Sequence, residues 1–116
     1  MTYLYLAAKI LLTAAFVAAG IAKLAGVDMM VATFDGVGVG QWFRYVTGAI
    51  EITGAALLWV RGREAFGAAL LAVTMVGAIL AHTFILGPSA LPATILGLLS
   101  LAVLYRNRDQ ITPLAA

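Results

Sequence analysis

Residues 65–86 read AFGAALLAVTMVGAILAHTFIL, 22 residues without a carboxylate, lysine or arginine. A helix rising 1.5 Å per residue crosses a hydrocarbon core of about 30 Å in roughly 20 residues, so this stretch is long enough to span a bilayer. It is continuously apolar rather than alternating, which argues against a membrane β-strand. Upstream, Arg61-Gly62-Arg63-Glu64 forms a tight polar turn, and downstream Gly87-Pro88-Ser89 breaks the run. Before the turn lies a second apolar stretch from about Phe43 to Val60, introduced by Trp42 and Tyr45, aromatics of the kind that mark a lipid interface. After the break, Pro92 falls in the first turn of a further helix, where its missing N–H is tolerated, and that helix ends at Tyr105 before Arg106-Asn107-Arg108-Asp109. A first stretch opens at Tyr3. Between the first two, Asp28 to Phe34 reads as a short interfacial helix, followed by the flexible run Gly36-Val37-Gly38-Val39-Gly40, and the tail from Ile111 to Ala116 reads as frayed. The expectation is a single all-α domain over 1–116, an integral membrane, antiparallel bundle of four transmembrane helices (about 3–24, 43–60, 65–86 and 90–105). Short connections favour the up-and-down order.

Composition points the same way. Hydrophobic residues make up 64% of the 116 and charged ones 10%, against about 25% charged in an ordinary soluble domain. Mean hydropathy is +1.06. The net charge of +2 does not indicate nucleic-acid binding, because the basic residues flank apolar runs instead of forming a stripe with interleaved aromatics. Arg61, Arg63, Arg106 and Arg108 outweigh Glu64 and Asp109 on one side, while Lys23 and Arg44 are balanced by Asp28 and Asp35 on the other. The positive-inside rule therefore places both termini in the cytoplasm. Val17-Ala18-Ala19 looks like a signal-peptidase site, but no positive charge precedes the run and Lys9 interrupts it. Without cysteine there is no thiol chemistry, and a single histidine speaks against a protein-built metal site.

Three polar residues stand out. A charge near the bilayer centre costs roughly 2.5–3.5 kcal/mol on insertion scales, so it persists where it pairs or acts. Glu51 lies half-way along the second span, His82 about one turn from the outer end of the third, and Lys23 at the outer end of the first. Lys9, Thr13, Phe16, Gly20 and Lys23 share one helical face. Thr47, Glu51, Gly54 and Leu58 do the same, as do Leu71, Met75, Ala78 and His82. The stripes turn inward, so Lys23, Glu51 and His82 can meet in the outer half of the bundle, with Gln41, Trp42 and Arg44 framing its mouth and 27–40 as a lid. The plainer alternatives are a snorkelling Lys23 and Lys9, a His82 bonded to a backbone carbonyl, and a purely structural Lys23–Glu51 pair. The glycines of the spans, Gly20, Gly48, Gly54, Gly67 and Gly77, read as close helix packing.

Three segments together resemble the DoxX-like family of small membrane proteins. Ala19-Gly20-Ile21-Ala22-Lys23-Leu24 resembles its AGxxKL signature, Gly48 to Ala55 its GxxExxGA second helix, and Gly77 to His82 its third-helix segment ending in histidine. The resemblance implies a four-helix bundle in a bacterial or archaeal plasma membrane. The family name derives from a subunit of a thiosulfate:quinone oxidoreductase, so it implies a redox association and, by position, Lys23, Glu51 and His82 as the site. Three functions are then expected to compete. One is a redox-associated subunit binding a quinone or similar lipid-soluble ligand near Glu51 and His82, with no covalent cofactor and with electrons from a partner protein. The others are a structural or assembly role within a membrane complex and a small, homo-oligomeric proton-coupled transporter. Lys9 and Lys23 disfavour the transporter, because they repel cationic substrates.

Overall fold

A computed structural model describes residues 2–87 and 89–111; the break at Pro88 and the tail 112–116 lie outside the described residues. Among these there are five α-helices and no strand. Helix α1 spans Tyr3–Ala25, α2 Asp28–Val37, α3 Gln41–Leu57, α4 Glu64–Ala81 and α5 Leu91–Arg106. A π turn, His82–Leu86, prolongs α4, and a short 3-10 turn, Arg108–Gln110, follows α5. Two of the helices are long and apolar enough to cross a membrane: α1, and α4 with its π turn, each of 23 residues.

Local chemistry explains the boundaries. Thr2 caps α1 by accepting the Tyr5 N–H at 3.1 Å. Gly26 ends the helix in the left-handed conformation, with φ +72°. Helix α2 runs three residues beyond the expected Phe34, taking in Gly36 and Val37 before Gly38 stops it. Helix α3 begins at Gln41, two residues before the expected start, because Gln41 and Arg44 find partners there. It ends at Leu57, and 58–63 form the turn.

Helix α1 packs on α3, α3 on α4, and α4 on α5, with a lighter α1–α5 contact closing the ring. Two crossings are glycine on glycine. A Cβ on Gly48 would lie 3.0 Å from the Gly20 carbonyl oxygen, and one on Gly67 would lie 2.6 Å from that of Gly54. Only hydrogens at these positions let the backbones come so close. Gly77 differs from the packing expectation, since a Cβ there would meet open space.

The interior holds Leu12, Phe16, Ala55, Leu58, Leu71 and Val103, and also Lys9, Arg44, Glu51 and Ser100. The exterior carries Ile10, Leu11, Val46, Val73, Val76, Leu80, Ile95, Leu98 and Leu101. Charged groups inside and branched aliphatics outside reverse the usual arrangement of a water-soluble protein.

Candidate functional site

The glycine crossing of α1 and α3 builds the centre of the site. Gly48 leaves a channel against which the stem of Lys23 lies, so that a Cβ on Gly48 would be 3.1 Å from the Lys23 Cβ. Glu51 follows three residues later on the same face of α3. The Lys23 ammonium runs along this channel and stops 2.8 Å from Glu51 Oε1. The approach is an ion pair set outside hydrogen-bond geometry. Glu51 is 2% exposed and the Lys23 side chain 12%, so the lysine is the less buried member of the pair.

Arg44, 5% exposed, reaches the same place through the backbone. Its Nη1 donates to the Lys23 carbonyl, one of the last-turn acceptors that α1 leaves unpaired. Its Nε donates to Gln41 Oε1 at 2.8 Å, and its guanidinium stacks 4.3 Å from the Tyr45 ring. Gly26 lies under the guanidinium, where a Cβ would be 3.1 Å from Nη1. Gln41 in turn donates to Asp35 Oδ1 at 2.8 Å and to the Val31 carbonyl at 3.0 Å, which fastens α2 to α3. Arg44 thus holds the backbone of Lys23 rather than its ammonium.

His82 stands where α4 ends. It opens the π turn, whose residues pack against α2, with Leu86 beneath Gly36. Its Nδ1 is buried and has no hydrogen-bond partner. No hydrogen bond or ion pair joins it to Lys23 or Glu51 among the described residues. The structure therefore joins Lys23 with Glu51 directly and with Arg44 through the main chain, while His82 makes no such link. Nor does any group of three or more His, Asp or Glu side chains among the described residues come together as a metal site.

Lys9 departs from the snorkelling expectation. It is 3% exposed, and its ammonium lies 4.2 Å from the Trp59 ring and 5.3 Å from the Tyr5 ring. The Trp59 indole donates to Thr13 Oγ1 at 2.7 Å, and Thr13 donates to the Lys9 carbonyl at 2.7 Å. Trp59 carried no sequence signal of its own, because its meeting with Lys9 and Thr13 depends on how α1 and α3 cross.

Two helices long and apolar enough to cross a membrane, with a carboxylate–ammonium pair buried between α1 and α3, suggest a small α-helical membrane protein. The family model for the DoxX-like family matches residues 7–104, and the chain belongs to that family. No curated protein and no solved structure matches the chain.

Proposed function

We propose that the chain is a single four-span domain of the plasma membrane with both termini cytoplasmic. In this reading it serves as a redox-associated subunit that holds a quinone or similar lipid-soluble ligand beside Lys23 and Glu51. Four spans are supported by the apolar exterior of α3 and α5 as well as of α1 and α4. Helix α3, at 17 residues, reaches the lower limit of spanning length, and α5, at 16, approaches it. The observation that carries the ligand site is the asymmetric burial of the pair. A quinone carbonyl needs a hydrogen-bond donor, and Lys23, the less buried member of the pair, carries one. Glu51 behind it keeps that ammonium charged and placed, and His82, with its unpartnered Nδ1 against α2, supplies a second polar contact. Reduction of a quinone to a quinol takes two electrons and two protons. A partner redox protein supplies the electrons, and the polar groups at this end relay the protons.

The test is native mass spectrometry and quinone titration of the protein in mild detergent. Wild type should carry or bind a quinone, with affinity reduced at least tenfold in Lys23→Met and further in Lys23→Met with His82→Ala. Undiminished binding in a folded double variant would refute the site. A second reading is favoured by the 2.8 Å closure of the pair on itself: a structural lock in a bundle whose role is to assemble a partner. Wild type free of ligand, with both Lys23→Met and Glu51→Gln destabilised, selects that reading.

A further inference from the structure

At the opposite end of the bundle from α2, several positive donors converge without forming an ion pair among the described residues. Lys9 is almost wholly withdrawn from water, yet it faces only the rings of Trp59 and Tyr5. Ring faces return less than the hydration an ammonium gives up, so the site is short of negative charge. Arg106 adds a second cation on the same Tyr5 ring, with Cζ 4.5 Å from its centroid. Among the described residues neither cation has a carboxylate within ion-pair distance. Glu64 feels the charge of Lys9 without pairing with it, and its Oε1 accepts from Gly62 N–H at 2.9 Å and Gln110 Nε2 at 2.8 Å. Tyr5 contributes a third donor. Its hydroxyl accepts from Asn107 Nδ2 at 2.8 Å, and its own hydrogen finds no acceptor among the described residues. The Asn107 amide also donates to the Val103 carbonyl at 2.9 Å, which fixes the hydroxyl against α5.

An ammonium, a guanidinium and a hydroxyl hydrogen around one ring, with no acceptor among them, suit a tetrahedral oxyanion. They lie where α1 begins, α5 ends and Arg61 and Arg63 turn the chain, the place where headgroups stand if the helices span a bilayer. We propose that Lys9, Tyr5 and Arg106 form a binding site for a phosphate ester, supplied by the headgroup of an anionic phospholipid or by a soluble phosphate compound. Arg106 is exposed and captures the anion, Tyr5 orients one oxygen, and Lys9 supplies a fixed positive field from behind. This inference concerns the end of the bundle remote from Glu51 and stands whether or not a quinone binds there.

Trp59, in contact with Lys9, is the natural reporter, and Trp42→Phe leaves it as the single tryptophan. The protein is placed in phosphatidylcholine nanodiscs, and Trp59 emission is followed as phosphatidylglycerol is introduced. Native mass spectrometry counts the lipid retained. Wild type should prefer phosphatidylglycerol, and Lys9→Met and Arg106→Gln should each weaken that preference about fivefold, the equivalent of ~1 kcal/mol per cation near a charged headgroup. Tyr5→Phe should weaken it less, and Lys9→Arg should preserve it. Arg61→Gln removes the same charge from the neighbouring turn and should change it less than twofold. If Lys9→Met does not fold, the exposed Arg106→Gln and the charge-preserving Lys9→Arg still decide the matter. An equal loss in Arg61→Gln would reduce the effect to general surface charge and overturn the site. Inorganic phosphate added to phosphatidylcholine nanodiscs separates the sources. Equal affinity of wild type for the two lipids overturns the site only where phosphate too leaves Trp59 emission unmoved. If phosphate moves it in a Lys9-dependent way and phosphatidylglycerol does not, the site holds and its ligand is soluble.

Discussion

Removing Lys23 alone from the Lys23–Glu51 pair should cost more than removing both charges. With Glu51 2% exposed, Lys23→Met strands a carboxylate behind the α1–α3 crossing, and the loss expected for an orphaned buried charge is about 3–5 kcal/mol. Glu51→Gln is milder. Lys23 keeps 12% of its side chain exposed and a flexible stem, so its ammonium can turn toward water or headgroups. The remaining buried amide then costs about 1–3 kcal/mol. Lys23→Met combined with Glu51→Gln leaves no charge to strand, so the double variant should lose only the about 1–3 kcal/mol of the buried amide. The coupling energy from this double-mutant cycle is then about 3 kcal/mol or more. Equilibrium unfolding by titration with denaturing detergent, monitored by circular dichroism, measures all four proteins under one condition. Additive single effects, or a Lys23→Met cost below about 1 kcal/mol, would show that the two charges do not depend on each other. The reasoning from the 2.8 Å contact would then be wrong.

Three further outcomes follow from other contacts. Gly67→Ala places a Cβ 2.6 Å from the Gly54 carbonyl and 3.0 Å from the Leu58 nitrogen, so it should destabilise by about 1–3 kcal/mol, whereas Gly77→Ala, in open space, should be neutral or stabilising by up to about 1 kcal/mol; thermal melts of the two compare them directly. Arg44→Lys retains the charge but not the fork that joins Gln41 to the Lys23 carbonyl, so hydrogen exchange should speed up over residues 26–41 while the centre of α4 stays protected. Trp59→Phe keeps a ring near Lys9 but loses the bond to Thr13, and should cost about 1 kcal/mol in the same unfolding assay.

Helix positions were legible because each depends on one-dimensional signals. An apolar run, a polar turn at 61–64 and a proline at 92 mark them without tertiary knowledge. The inward stripe of α1 was legible for the same reason, since Lys9, Phe16 and Gly20 are buried on it at helical spacing. What spacing cannot give is the azimuth and depth of one helix against another. Lys9 read as snorkelling because nothing in its own stretch shows that Trp59, fifty residues away, closes over it. His82 occupies the expected stripe of α4, but the helix winds into a π turn at that residue. The change shifts the register of the residues that follow, 83–86, which 3.6-residue periodicity does not anticipate. Gly77 misled in the opposite direction, since a small residue serves close packing only where a partner backbone passes.

The family motifs gain physical content from these contacts. In Ala19-Gly20-Ile21-Ala22-Lys23 the glycine and lysine are three residues apart on α1, and in Gly48-Ala49-Ile50-Glu51 the glycine and glutamate are three apart on α3. The two glycines meet backbone to backbone, and that contact brings the lysine stem across to the carboxylate. Each motif therefore pairs a crossing residue with a charged one, and the two parts are interdependent. A side chain at Gly48 would drive α1 away and part the charges it was meant to join. Arg44 fits the same scheme from the other side: by holding the Lys23 carbonyl it fixes the end of α1 from which the ammonium reaches in. A glycine substitution at this crossing should thus resemble loss of the ion pair as well as loss of packing. Gly48→Ala combined with Glu51→Gln should cost less than the sum of the two, because the first change already separates the groups that the second would uncouple.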